Sequence, residues 1–141
     1  MRGDALNIPP LFDHEKLRVY QDTLGFIAWL QPVFESIPKG MAVRDQLDRA
    51  STSIPLNIAE GNGKFTERDR CKFFDTARGS ALECAACLDV LVVKLVVARD
   101  LALRGKEQLV GVVSMLVGLI KSNSSNRVYE ERADYEVSNQ G

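Results

Sequence analysis

A single histidine, His14, and three cysteines are all that this chain holds of the side chains that most often ligate transition metals. A structural zinc site takes four such ligands, and Cys84 and Cys87 stand in an alanine-rich stretch that reads as the middle of a helix, away from the helix N-terminus that would lower a thiol pKa. They read as core residues, and no metal or cofactor is expected. An odd cysteine number, with no secretory leader in front of it, fits a reducing cytoplasm better than a disulfide framework. Charge of one sign is also lacking. The net charge is -1 and the pI about 5.9, whereas a constitutive nucleic-acid binder is strongly basic. Long apolar runs are absent too: the longest, 88–98 and 109–120, fall short of the roughly 18 residues that span a bilayer, so no membrane association is expected. The string Gly61-Asn62-Gly63-Lys64-Phe65 lacks both the earlier glycine and the hydroxyl after the lysine that a phosphate-cradling loop requires.

What the chain does have is helical periodicity. Hydrophobic residues make up 45% and charged residues 26% of its 141 positions, enough for one compact domain with its own core. From His14, with Asp13 as its cap, one stripe runs through Leu17, Tyr20, Leu24, Ile27 and Phe34 and a second through Val19, Phe26, Leu30, Val33 and Ile37. So wide a surface suits two neighbours in one bundle or, near Trp29, a second subunit. Pro38 and Gly40 mark a turn, and a second helix runs from about Met41 to Gly61 with Pro55 bending it. Thr66 opens a third helix in the manner of a capping box. Phe73, Ala77, Ser80, Cys84, Cys87 and Leu91 share one face of that helix; Phe74, Ala81, Leu82, Ala85, Leu88, Val92 and Leu95 lie beside it. Its pattern continues through Val97. Residues 99–105 read as a connection, and a fourth helix follows over 106–122 with Leu109, Val112, Val113, Leu116 and Ile120 facing inward. The pattern predicts an all-α, antiparallel up-and-down four-helix bundle over residues 13–122. A flexible leader is expected over 1–12 and a flexible acidic tail over 123–141.

The stretch 46–61 organises the rest. Leu47, Ala50, Ile54, Ile58 and Gly61 make a narrow apolar face, and Gln46, Arg49, Ser53, Asn57 and Glu60 a polar stripe beside it. Serine and asparagine among the charges suggest a seam that is partly buried and hydrogen-bonded. Small residues from Ala77 to Ala86 would let the third helix approach the second closely.

Arg49-Ala50, Ser53-Ile54-Pro55 and Asn57-Ile58-Ala59-Glu60-Gly61, followed by Phe73, Ala77, Gly79-Ser80, Glu83 and the run 115–122, resemble the 23S rRNA intervening-sequence protein family over about residues 14–122. The resemblance implies a four-helix bundle, similar in fold to the accessory protein of diversity-generating retroelements, that assembles into a homopentameric barrel without established enzymatic activity. Carried over residue by residue, its motif positions are Arg49, Ser53, Asn57, Glu60, Ser80 and Glu83. As a structural polar seam these would fix the pairing of the second and third helices, with Asn57 bonding across the interface and Arg49 pairing with Glu60 or Glu83. A ligand site in the same seam is the other reading.

Lys64, Arg68, Arg70 and Lys72 are candidate nucleic-acid contacts on the connection between those helices, although Glu67 and Asp69 are interleaved with them. A ring would repeat such a patch once per subunit. The expectation is a non-enzymatic, self-assembling interaction protein or scaffold, with itself and a protein or nucleic acid as partners. Nucleic-acid accessory and small-ligand roles remain as alternatives.

Overall fold

The computed structural model describes residues 5–124. One turn of 3-10 helix, Asp13–Lys16, precedes α1 (Arg18–Ser36), α2 (Ala42–Asn62), α3 (Glu67–Val93) and α4 (Arg99–Ser122). Each helix packs on its sequence neighbour and α1 closes on α4, while the diagonal pairs do not meet, which is the up-and-down antiparallel arrangement. One end of the bundle, the entry end, gathers the 3-10 turn, the α2–α3 connection and the end of α4. The far end holds the turns between α1 and α2 and between α3 and α4.

The core is filled by Phe26 and Leu30 from α1, Leu47, Ile54 and Ile58 from α2, Phe74, Leu88 and Leu91 from α3, and Leu109 and Leu116 from α4, all essentially inaccessible. Burying each such side chain contributes about 1.5–3 kcal/mol. The second stripe expected on the first helix, Val19, Phe26, Leu30, Val33 and Ile37, goes wholly into this core. Two glycines set how closely helices approach. A Cβ on Gly61 would lie 2.9 Å from the Phe74 ring, and one on Gly105 would lie 2.7 Å from both Trp29 and Leu88. Alanine at either position would clash with a buried side chain.

Several boundaries differ from the sequence pattern. His14 does not open α1: the Glu15 carboxylate takes the amides of Leu11 and Phe12 at 2.6 and 2.7 Å, a 3-10 turn forms, and the helix starts only after an extended Leu17. Asp13 therefore caps nothing and instead accepts a hydrogen bond from Asn62 at 3.0 Å. Gly61 does not stop α2, which runs one residue further to a Gly63 cap of ordinary negative φ. The third helix ends four residues before Val97. Leu95 takes φ 63° there, its amide bonds the Val92 carbonyl, and the Val96 amide bonds the Leu91 carbonyl at 2.9 Å. This pair of bonds is a Schellman motif with leucine where glycine is usual. Residues 99–105 are not a connection but the first two turns of α4, because Ala102 and Gly105 are buried against α1 and α3. Of the residues read as lying beside the first face of the third helix, Leu82 and Leu95 are 49% and 92% exposed. The chain past Ser124, including the expected flexibility of the acidic tail, lies outside the described residues.

Candidate functional site

The polar seam begins with the close approach of α2 and α3, the most extensive helix pairing in the bundle. Small side chains on both helices allow it: Ala50 and Gly61 on one, Ala77 and Ala81 on the other, all buried. At the margin of this contact the Ser80 hydroxyl donates to the Ser53 hydroxyl at 2.9 Å, the one side-chain hydrogen bond that joins the two helices among the described residues. The Asn57 amide nitrogen donates to the Ser53 hydroxyl at 2.9 Å and to the Ser53 carbonyl at 2.8 Å. Asn57 thus orients Ser53 from within α2 and donates nothing across to α3. The bonding reaches one turn along the same helix because positions four apart share a face.

The charged members of the seam stand differently. Arg49, Glu60 and Glu83 are exposed, and no ion pair joins Arg49 to either glutamate among the described residues. The expected Arg49 pairing is corrected on that point. All three side chains are exposed to water, which solvates a charge well enough that an ion pair there would gain little. Between them lies an open groove of about 470 Å³ lined by Asp48, Arg49, Thr52, Ser53, Leu56, Asn57 and Glu60. The seam is therefore a solvent-facing trough. Ser53 and Asn57 form its half-buried floor, and Ser80 and Glu83, both on α3, lie outside its lining.

The four basic candidates also divide. Arg70 is half-buried and spent on the fold: its Nε donates to the Lys64 carbonyl at 2.8 Å and one Nη to the Asn123 side chain at 3.3 Å, tying the α2–α3 connection to the end of α4. The Cys71 thiol lies 3.5 Å from the Ile120 carbonyl and 3.4 Å from that of Asn123, at the same junction. Lys64 holds its ammonium 4.9 Å above the Phe73 ring. Arg68 and Lys72 are exposed. Thr66 caps α3 by accepting the Asp69 amide at 3.1 Å. Two residues that the sequence pattern did not single out join them at the entry end: Phe65, fully exposed in the connection, and Lys121, exposed in the last turn of α4.

A third surface also went unread in the sequence. Leu82 and Val93 on α3 and Leu103 and Val110 on α4 are 49%, 80%, 55% and 69% exposed. Lys106 bridges to Asp89 at 2.7 Å between the helices, and that bond sets the register. Val93 is then one turn past Asp89 on α3 and faces the level of Leu103, while Leu82 and Val110 lie on the other side of the ion pair.

Cys84 and Cys87 are buried, and burial, then the neighbouring Cys87 and Glu83, pushes the Cys84 thiol up to about 12, far from a reactive thiolate. No group of three or more His, Cys, Asp or Glu side chains among the described residues is placed to hold a metal ion. No described helix is long and apolar enough to cross a membrane.

The model of the family described as 23S rRNA-intervening sequence protein matches residues 15–118. A crystal structure of a protein with unknown function, from the S23 ribosomal protein family of Bacteroides thetaiotaomicron VPI-5482, superposes with a TM-score of 0.68 at 21% identity, covering 73% of this chain and 98% of that one. At that identity the likeness shows the fold alone. Among curated proteins none matches.

Proposed function

Since the chain belongs to the 23S rRNA-intervening sequence protein family, whose bundle fold it has, we propose that it works as a non-enzymatic, self-assembling interaction protein whose subunits meet through the outer α3–α4 face. The observation that carries this reading is the set Leu82, Val93, Leu103 and Val110 around the Asp89–Lys106 pair. Large apolar side chains grouped on one face of a folded domain mark an interaction surface. The Asp89–Lys106 pair among them brings opposite charges together at 2.7 Å, which suits an apolar partner such as another copy of the same face. All four residues fall inside the segment that the family model matches. A ring of about five subunits is the assembly that the family resemblance supports, and the trough on α2 would be repeated around it.

Light scattering combined with sedimentation tests the reading. The expected result is a homo-oligomer that falls to monomers when Val93 and Val110 are both replaced by lysine, with helical circular dichroism retained. A wild-type monomer, or an oligomer indifferent to both substitutions, removes it.

One observation favours a second reading. Arg68, Lys72, Lys121 and Phe65 are all exposed at the entry end, where Lys64 lies 4.9 Å above the Phe73 ring, and cations together with aromatic rings suit the phosphates and bases of single-stranded nucleic acid. Salt-dependent binding of an RNA oligonucleotide, lost on Arg68→Glu with Lys72→Glu, would support it. Salt-independent binding would count against it.

A further inference from the structure

The trough on α2 holds charges that its own subunit leaves unused. Arg49, Thr52, Leu56 and Glu60 recur at three or four residues along one outward stripe of a continuous helix, all four are exposed, and all four line the same groove of about 470 Å³. Leu56, near the middle, is 59% exposed. Arg49 and Glu60 stand toward the two ends, about 16 Å apart along the axis, so they cannot meet within one helix. Among the described residues neither has an ion pair. Along the chain the stripe reads positive, apolar, negative, and turned end for end it is its own complement.

We infer that α2 docks on α2 of a second copy, antiparallel and two-fold symmetric, with Arg49 of each copy on Glu60 of the other. The two-fold axis then crosses between Ile54 and Pro55, close to the middle of the trough. Leu56 of one copy lies over Thr52 and Ser53 of the other, less than one turn from its own counterpart, which puts the apolar contact at the centre and the ion pairs at the rim. Asp48, consecutive with Arg49, is about 100° around the helix and lies off the paired edge. One exposed helix face is a small interface, so the contact is weak between single subunits and gains strength where an assembly presents several troughs at once. It uses no residue of the α3–α4 face and stands whether or not subunits meet there.

Sedimentation equilibrium from micromolar to millimolar protein tests it, in the full chain carrying Val93→Lys and Val110→Lys so that the α3–α4 face contributes nothing. With α2 unaltered, an equilibrium between monomer and dimer that goes no further is expected, reached only toward the upper concentrations. Symmetry makes each substitution count twice: Arg49→Glu or Glu60→Arg turns two attractions into two repulsions and should weaken the dimer about tenfold. Both substitutions in one chain restore opposite charges at each end and should bring the affinity back to within about threefold of the unaltered α2. No dimer at millimolar concentration, a dimer indifferent to the single reversals, or a double variant no stronger than the single ones would each overturn the proposal. Trapping in the chain with natural Val93 and Val110 is the second measurement, since the three native cysteines are buried. Under mild oxidation Leu56→Cys should link to its counterpart at least about tenfold faster than Asp45→Cys, whose counterpart would lie about 28 Å away along the axis. Equal rates would likewise overturn it.

Discussion

Two helix pairs in this bundle use glycine in opposite ways. Between α2 and α3 the backbones are close: Gly61 leaves room for Phe74, alanines line both helices, and the Ser53–Ser80 bond closes the margin. Between α1 and α4 the glycine in close contact is Gly105, where it meets Trp29. Further along, the pair opens into a groove of about 770 Å³ lined by Arg18, Gln21, Asp22, Gly25, Trp29, Glu107 and others, and side chains built on Gly25 or Gly111 would meet nothing. A helical glycine is a packing device only where a neighbour occupies the space of the missing methyl. Elsewhere it is a cost of about 1 kcal/mol of helix stability that the fold carries without return inside the subunit.

The largest expected break in this comparison is Gly105→Ala. The contacts at 2.7 Å fall on the fully buried Leu88 and on the rigid, partly buried indole of the chain's single tryptophan, so overpacking should cost about 1–3 kcal/mol. Denaturant titration would measure the loss, and altered Trp29 fluorescence in the native state would locate it. Little or no loss would mean that α1 can swing outward freely at that contact. Gly61→Ala should be destabilising by about 1–2 kcal/mol, since the Phe74 ring that it meets at 2.9 Å lies in the core. Ser80→Ala removes the inter-helix bond and should cost about 1 kcal/mol, with the same change at Asn57 acting through Ser53. Gly25→Ala and Gly111→Ala should go the other way and stabilise by about 0.5–1 kcal/mol each. Destabilisation there, appearing only above the concentration of assembly, would reveal that another chain fills the groove.

The smallest effects lie at the rim and the leader. Glu83→Ala should change subunit stability by less than about 0.5 kcal/mol, because the side chain is exposed and has no ion-pair partner among the described residues. Glu15 is held below its ordinary range by the amides of Phe12 and Leu11. A carboxyl whose folded-state pKa is depressed contributes above its unfolded value, about 4.3, and loses that contribution as pH falls through the folded value. Release of residues 11–12 on acidification below about pH 4 should appear as faster amide exchange at those positions, with the bundle itself intact.

These contrasts mark how far the chain could be read in advance. Leu47, Ile54 and Ile58 on one stripe, and Ser53 and Asn57 on the next, stated which face of α2 is buried and which lies at its margin. The partner of each polar group was not legible. Arg49 stands eleven residues from Glu60 on one continuous helix, about 16 Å along its axis and too far to pair, and Arg49, Glu60 and Glu83 are all exposed. Arg70 and Lys72 look alike in sequence, and only the end of α4 lying beside Arg70 turns one into a clamp and leaves the other exposed. The α3–α4 face was hidden for a different reason. A helix with apolar residues nearly all round does not declare which of them the neighbours will cover.

Periodicity, turn residues and the spacing of small side chains determined by themselves that this protein is an all-α bundle and where most of its core lies, because burial on a helix face is a local consequence of 3.6 residues per turn. Tertiary structure alone decided that Gly105 is a contact and not a break, that α3 ends in a left-handed leucine, and that the basic connection and the end of α4 share one end of the molecule. Each of these depends on what stands opposite a residue, and the relative placement of helices arises only when all four pack together.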